Sequence, residues 1–220
     1  MTISTLSRST MPSRRLGLGI TLGIITLLTC SSPALAHHPL DGRLPANAFE
    51  GFMSGMGHPV IGIDHLAFVI AAGLVAALMR KGAMVPILFV LGSLAGTGIH
   101  LQALDLPAPE AFISASVLAF GLILARGLQT NVWLISLLGA VSGMFHGYAY
   151  GEAIVGAEMT PTISYLLGFV SIQLAISLAA WAIGRALQKK NQSQGLLNLR
   201  FAGFVLSGMG AVFLSSVVLG

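Results

Sequence analysis

The chain has 220 residues, 55% of them hydrophobic and only 8% charged, with a mean hydropathy of +0.88. A soluble domain carries roughly 25% charged residues to wet its surface, so water is excluded as the main solvent and one bilayer-embedded domain accounts for the chain. A pI near 9.7 suggests nucleic acid, yet Arg8, Arg14 and Arg15 lie in a segment expected to be removed, which lowers the formal charge from +4 to +1, and no basic stripe with interleaved aromatics is present to grip phosphates.

Residues 1–36 read as a cleavable secretory signal. Arg8, Arg14 and Arg15 form the positive n-region, Leu16 to Leu28 the apolar h-region, and Ala34-Leu35-Ala36 the A-x-A cleavage site. Pro33 and the A-x-A pattern favour cleavage over an uncleaved anchor helix, so the predicted mature terminus is His37. Cys30 is the only cysteine, and its loss excludes disulfides, thiolate metal sites and thiol catalysis in the mature chain. Residues 37–57 are expected as an outer tail. An amino-terminal His37 can chelate an ion through its amine and imidazole with His38 close by, making a metal-collecting tail; the plain alternative is two histidines in a flexible terminus.

A six-helix membrane domain is predicted over 58–220, with stretches of about 20 apolar residues, enough to cross about 30 Å of hydrocarbon as helix, near 58–79, 84–102, 110–128, 132–151, 162–184 and 197–219. The fold class expected is all-α, a polytopic helical bundle with both termini outside. Loops then expected inside carry Arg80, Lys81, Arg126, Arg185, Lys189, Lys190 and Arg200 and no acid, while the outer segments carry Asp41, Glu50, Asp105, Glu110, Glu152 and Glu158 with Arg43, in keeping with the positive-inside rule. Gly139, Gly143, Gly147 and Gly151 form a small-residue stripe along the fourth span, matched by Gly92 and Gly96 in the second; ordinary close packing of helices explains them, and they predict that the fourth span is central. Ser-Gly-Met-x-His occurs twice, at Ser54 to His58 and Ser142 to His146. An inverted three-span duplication would move the second copy to the inner end, whereas both copies fall outside, so the match is read as chance or as parallel need.

All six histidines, His37, His38, His58, His65, His100 and His146, map to the outer tail or the outer halves of spans one, two and four. A lone histidine in a membrane helix is usually a satisfied hydrogen-bonder, but several at one depth beside a carboxylate favour a site, and Asp64 inside a span costs on the order of 3 kcal/mol and needs a cation or proton as partner. Pro59 suits the first turn of a helix, which places His58 just before the span and Asp64 and His65 two turns in. His58 and His65 then share a face but lie about 10.5 Å apart along an ideal axis, so one ion reaches both only if the chain bends at Gly62 or before Pro59, or if the two act in sequence. Imidazole with carboxylate and no thiolate suits nickel, cobalt, zinc or copper(II). In the fourth span His146 and Tyr150 share a face as i and i+4, and Glu152 is either a ligand or an outer-loop charge. Thr97 and His100 are i and i+3 on the second span, with His100 a further candidate ligand. Gln173, flanked by Ser171 and Ser177, reads as an interhelical hydrogen-bonder rather than as lining of an inner path.

These features together resemble the HupE/UreJ family of nickel and cobalt permeases: a cleavable signal, six spans, His-Pro-x-x-Gly-x-Asp-His at His58 to His65, and Phe145-His146-Gly147 followed by Gly151 and Glu152. The resemblance covers essentially the whole mature chain and implies secondary uptake of nickel or cobalt, supplying hydrogenase or urease, with His58, Asp64 and His65 in the metal path and His146 in the second motif. The chain departs from the usual second motif, Phe-His-Gly-x-(Ala or Val)-His-Gly-x-Glu, in having Tyr150 where a second histidine is common and Glu152 one position early.

The function expected is therefore a permease in the plasma membrane, without catalytic residues or a resident cofactor. Its expected partners are a divalent metal ion, the lipid bilayer, and a second copy or other transporter subunits. No Gly-x-x-x-x-Gly-Lys-Ser/Thr loop is present for ATP hydrolysis. A non-transporting metal sensor or accessory subunit is the second reading. An intramembrane metal-dependent hydrolase is the third, and the chain lacks His-Glu-x-x-His and Gly-x-Ser-x-Gly.

Overall fold

The computed structural model describes residues 43–127 and 131–220; the expected signal, its cleavage site, His37 and His38 lie outside them. Among the described residues there are seven α-helices and no strand: α1 (Ala48–Ile61), α2 (Ile63–Ala76), α3 (Met84–Leu101), α4 (Pro109–Arg126), α5 (Val132–Gly151), α6 (Met159–Lys190) and α7 (Gln192–Leu219), with a 3-10 turn at Glu152–Ile154 after α5. The helices from α3 to α7 are each long and apolar enough to cross a membrane, and α1 with α2 supplies a sixth crossing if that bent pair counts as one span. This is an all-helical, multi-pass membrane architecture.

Local signals set the boundaries. Asn47 caps α1 by accepting from Glu50 N at 2.9 Å, and the Glu50 carboxylate reaches back to Ala46 N at 2.9 Å and to Arg43 at 2.8 Å. Pro109 opens α4, where its missing N–H costs nothing, and Gly127 closes it with φ +65°. The polar run Gln188 to Gln194, expected as a connection, is almost entirely helical: α6 and α7 break only at Asn191, whose side chain caps α7 by accepting from Gln194 N. The flanking lysines and glutamines are good helix formers, so polarity there does not end the helix.

The first expected span differs most from expectation. α1 begins upstream of residue 58, and α1 and α2 meet at Gly62 with a bend of 80°. Pro59 stands in the last turn of α1, not the first turn of a span. A proline there removes one helical N–H and crowds the turn before it; the helix ends two residues later, and Gly62 (φ −71°, ψ 102°) leaves helical geometry before its carbonyl restarts the ladder by accepting from Leu66 N at 2.9 Å.

Glycine brings helices into near contact in several pairs, among them α2 and α6, where a Cβ at Gly73 would run into the Ser177 carbonyl. In α1 and α6 a Cβ at Gly51 or Gly55 would run into the carbonyls of Pro161 and Tyr165. In α3 and α5 a Cβ at Gly143 or Gly147 would meet the carbonyls of Phe89 and Ser93, and Gly92 and Gly96 face Ala140 and Met144 in return. Gly121, Gly203 and Gly210 do the same for α4 and α7. The stripe on the fourth span thus marks a close partner, as expected, but not the centre of the bundle. α5 leaves Trp133, Leu134, Leu137 and Leu138 exposed, whereas Phe68, Val69, Ala71, Ala72, Val75 and Ala76 of α2 are wholly buried. The central helix is α2, packed against α1, α3, α4, α6 and α7.

Candidate metal centre

The bend at Gly62 removes the axial separation between the two histidines of the first motif. His58, in the last turn of α1, and His65, in the first turn of α2, have ring centroids 5.8 Å apart, where a straight helix would hold them about 10.5 Å apart along its axis. Gly62 also makes room: a Cβ there would lie 2.6 Å from His65 Cδ2. The carboxylate of Asp64 turns back on the start of α2 and accepts from His65 N at 2.8 Å, a favourable place for negative charge at a helix N-terminus.

His146 reaches the same place from α5. Its Nδ1 lies 2.8 Å from His65 Nδ1 and its Nε2 3.0 Å from Ser116 Oγ of α4, and His58, His65 and His146 are all buried. Both copies of Ser-Gly-Met-x-His therefore work alike. The glycine, Gly55 or Gly143, sits where another helix crosses, and the histidine one turn on enters the cluster. Parallel need, not chance, accounts for the repeat.

Two tyrosines complete the cluster. Tyr150 is wholly buried, with its ring 5.0 Å from that of His58 and 4.6 Å from that of His65, and its hydroxyl has no hydrogen-bond partner among the described residues. Tyr165 of α6 lies 2.9 Å from His58 Nδ1 and donates to the Tyr150 carbonyl at 2.9 Å. Tyr165 and Ser116 were not singled out in the sequence. Neither lies near a histidine in the chain, and the one hint, Tyr165 standing one turn after Pro161 on a helix with Gly168, identifies a helix crossing and not a site.

Next to His146 lies a group of aromatic rings from α2, α3 and α4. The Phe68 ring lies 4.6 Å from His146, 5.0 Å from Phe89 and 4.8 Å from Phe120, and all three phenylalanines are fully buried. Level with His146, where Ser93 faces Gly147, Ser93 donates to Gln173 Oε1 at 3.3 Å, the interhelical bond expected of Gln173, although its Nε2 has no partner among the described residues. At the far end Arg80, Lys81, Arg185 and Gln188 line a cavity of about 690 Å³.

The remaining candidates lie elsewhere. His100, on the last turn of α3, packs against Tyr148 at 4.3 Å and against Gly151, with its Nδ1 buried and unpartnered among the described residues. Tyr148 in turn donates to Asp105 at 3.2 Å. Glu152 is exposed on the 3-10 turn. Among the described residues no three His, Asp or Glu side chains stand in position to hold one ion together. The cluster is held by hydrogen bonds between its own members.

Over 200 residues the chain is 28% identical to Protein HupE of Rhizobium leguminosarum bv. viciae, a match covering 88% of this chain and 94% of that protein. No solved structure matches it. The family model described as HupE / UreJ protein matches residues 25–213, and the chain belongs to the HupE/UreJ family.

Proposed function

We propose that this protein is a permease carrying nickel or cobalt ions across the plasma membrane, and that it takes the ion at the outer face through the cluster around Gly62. The observation that carries the reading is the bend: it turns two histidines of one sequence motif toward each other inside an apolar bundle, beside a buried phenol with no partner among the described residues. Imidazole nitrogen with carboxylate and phenol oxygen is a donor set suited to late first-row divalent ions. His58 and His65 replace part of the ion's water shell and Asp64 supplies the charge that draws it in. His37 and His38 act as a collecting tail, and His100 with Glu152 lies on the approach.

Orientation follows from charge. Arg80, Lys81, Arg185 and Lys189 gather at the end away from the histidines, which is the inner end by the positive-inside rule and puts both termini outside. Phe68, Phe89 and Phe120 close the way between the two ends, so release requires those rings to part.

The test is uptake of radioactive nickel and cobalt into proteoliposomes of the purified protein, comparing wild type with His58→Ala, Asp64→Ala and His65→Ala variants that still insert. The expected result is saturable uptake that falls at least about 100-fold in the His65 variant, as loss of a liganding imidazole and its shell requires. Tight binding without uptake would instead make the protein a sensor or a subunit, and uptake unaffected by all three changes would move the path elsewhere.

A further inference from the structure

We propose that His146 is a positioning residue and not a metal ligand: a relay from Ile113 through Ser116 and His146 fixes the proton on His65 Nδ1, and so turns the lone pair of His65 Nε2 toward the cation. The inference rests on the metal-binding reading above for its ligand, and on hydrogen-bond geometry for the relay itself.

The relay is deduced one proton at a time. Ser116 Oγ lies 2.6 Å from the Ile113 carbonyl oxygen. Two oxygens that close repel unless a proton lies between them, and a carbonyl has none to give. The hydroxyl proton of Ser116 therefore goes to Ile113, and Ser116 meets His146 Nε2, at 3.0 Å, with a lone pair. His146 Nε2 must carry the hydrogen. His146 is wholly buried, with the rings of Phe68 and Phe89 against it and no carboxylate among its hydrogen-bond partners. A second proton would create a cation in apolar surroundings at prohibitive cost, so the ring is neutral and its Nδ1 is bare. That bare nitrogen faces His65 Nδ1 at 2.8 Å. Two bare nitrogens cannot approach so closely, hence His65 Nδ1 carries a hydrogen and donates it. A neutral imidazole has one hydrogen, so the lone pair of His65 is on Nε2.

Both nitrogens of His146 are thus committed, one donating and one accepting, while His65 is left in a single tautomer with a defined coordinating atom. This is the work that hydrogen-bond partners behind a ligand perform in metal sites generally. A parallel arrangement orients His58: the one hydroxyl proton of Tyr165 goes to the Tyr150 carbonyl, so Tyr165 accepts from His58 Nδ1–H. The two histidines on either side of Gly62 therefore each carry a hydrogen on Nδ1, held by α4 with α5 for His65 and by α6 for His58.

Glutamine separates a positioning role from a liganding one. In His146→Gln the amide oxygen can accept from His65 Nδ1–H and the amide N–H can donate to Ser116, but the imidazole is gone. Nitrogen-15 NMR of histidine-labelled protein, metal-free and at a pH where imidazole is neutral, reads the tautomers, and titration calorimetry with Ni²⁺ alone reads affinity. Expected are an Nδ1–H signal for His65 in wild type and in His146→Gln, and a mixture of tautomers in His146→Ala. Ni²⁺ affinity should stay close to wild type in His146→Gln, fall about 10–100-fold in His146→Ala and Ser116→Ala, and vanish in His65→Ala. An Nε2–H signal for His65 in wild type overturns the relay. So does a His146→Gln variant that keeps the His65 tautomer yet loses Ni²⁺ as completely as His65→Ala, because His146 is then a ligand. If wild type binds no Ni²⁺, the metal reading fails by itself, and the wild-type and His146→Ala spectra still decide the relay.

Discussion

His65 and Phe68 stand one turn apart on the same buried helix, yet they are held in different ways. Around His65 nearly every contact has a direction: nitrogen to nitrogen at 2.8 Å, backbone N–H to Asp64 at 2.8 Å, and the relay behind His146. Around Phe68 the partners are the rings of Phe89, Phe120 and His146, with centroids 4.6–5.0 Å away, and its own ring brings no donor or acceptor to satisfy. Directed bonds specify one arrangement and contribute modestly to stability, on the order of 1 kcal/mol each, whereas close packing stabilises through many small contacts and tolerates several arrangements. In this bundle the hydrogen-bonded layer and the close-packed layer are adjacent but distinct. A change in one is expected to leave the other largely intact.

Phe68→Ala is the strongest way to break that contrast. It removes the ring shared by Phe89, Phe120 and His146 and should cost about 3–5 kcal/mol, by analogy with truncations in other close-packed cores, read as a lower midpoint of denaturation in detergent. Retained Ni²⁺ affinity in the folded fraction supports the separation of layers, and a collapse of affinity would show the aromatic floor to be part of the site. Gly62→Ala comes next. Its Cβ would sit 2.6 Å from His65 Cδ2, so the imidazole must shift. A cost of about 1–3 kcal/mol is expected from overpacking, with a measurable loss of Ni²⁺ affinity by calorimetry, because the bend and the ligand share that space. Tyr165→Phe is the mildest. Losing the hydroxyl between His58 and the Tyr150 carbonyl should destabilise by about 1 kcal/mol and shift the His58 Nδ1 signal in its nitrogen-15 spectrum, while leaving the signal of His65 unchanged.

The bundle was largely legible in the sequence, and the reasons are specific. The spans near 84–102 and 132–151 coincide with α3 and α5 because Pro107 and Pro109, Asn131 and the Arg80-Lys81-Gly82 turn punctuate them. The broken span was not legible in the same way. Pro59 near the start of an apolar stretch fits a first turn as well as a last one, and only the helical capping at Asn47 and the extended backbone at Gly62 distinguish the two. The small-residue stripe on α5 announced a close neighbour, but which helix is central depends on how many neighbours a helix has, and α2 carries that role with alanine, valine and phenylalanine rather than with glycine alone. Of the site, the histidines were identified by type and depth, and His100 fell to a separate contact because it lies on α3 beside Tyr148. Ser116 and Tyr165 were out of reach, since a serine or a tyrosine acquires its meaning only when folding brings a distant imidazole to it.

The glycine-seamed pairs have a mechanical consequence. α1 is fastened to α6 by Gly51, Gly55 and Gly168, and α3 to α5 by Gly92, Gly96, Gly143 and Gly147, so His58 travels with Tyr165, while His146 belongs to the second pair and His65 to the helix between them. The three imidazoles thus ride on three different helices, with α2 itself seamed to α6 where Gly73 meets the Ser177 carbonyl. Sliding the α3–α5 pair past α2 would lengthen the gap between His65 and His146 without breaking any helix, and the proposed grip on an ion is tied to how that pair is registered against α2.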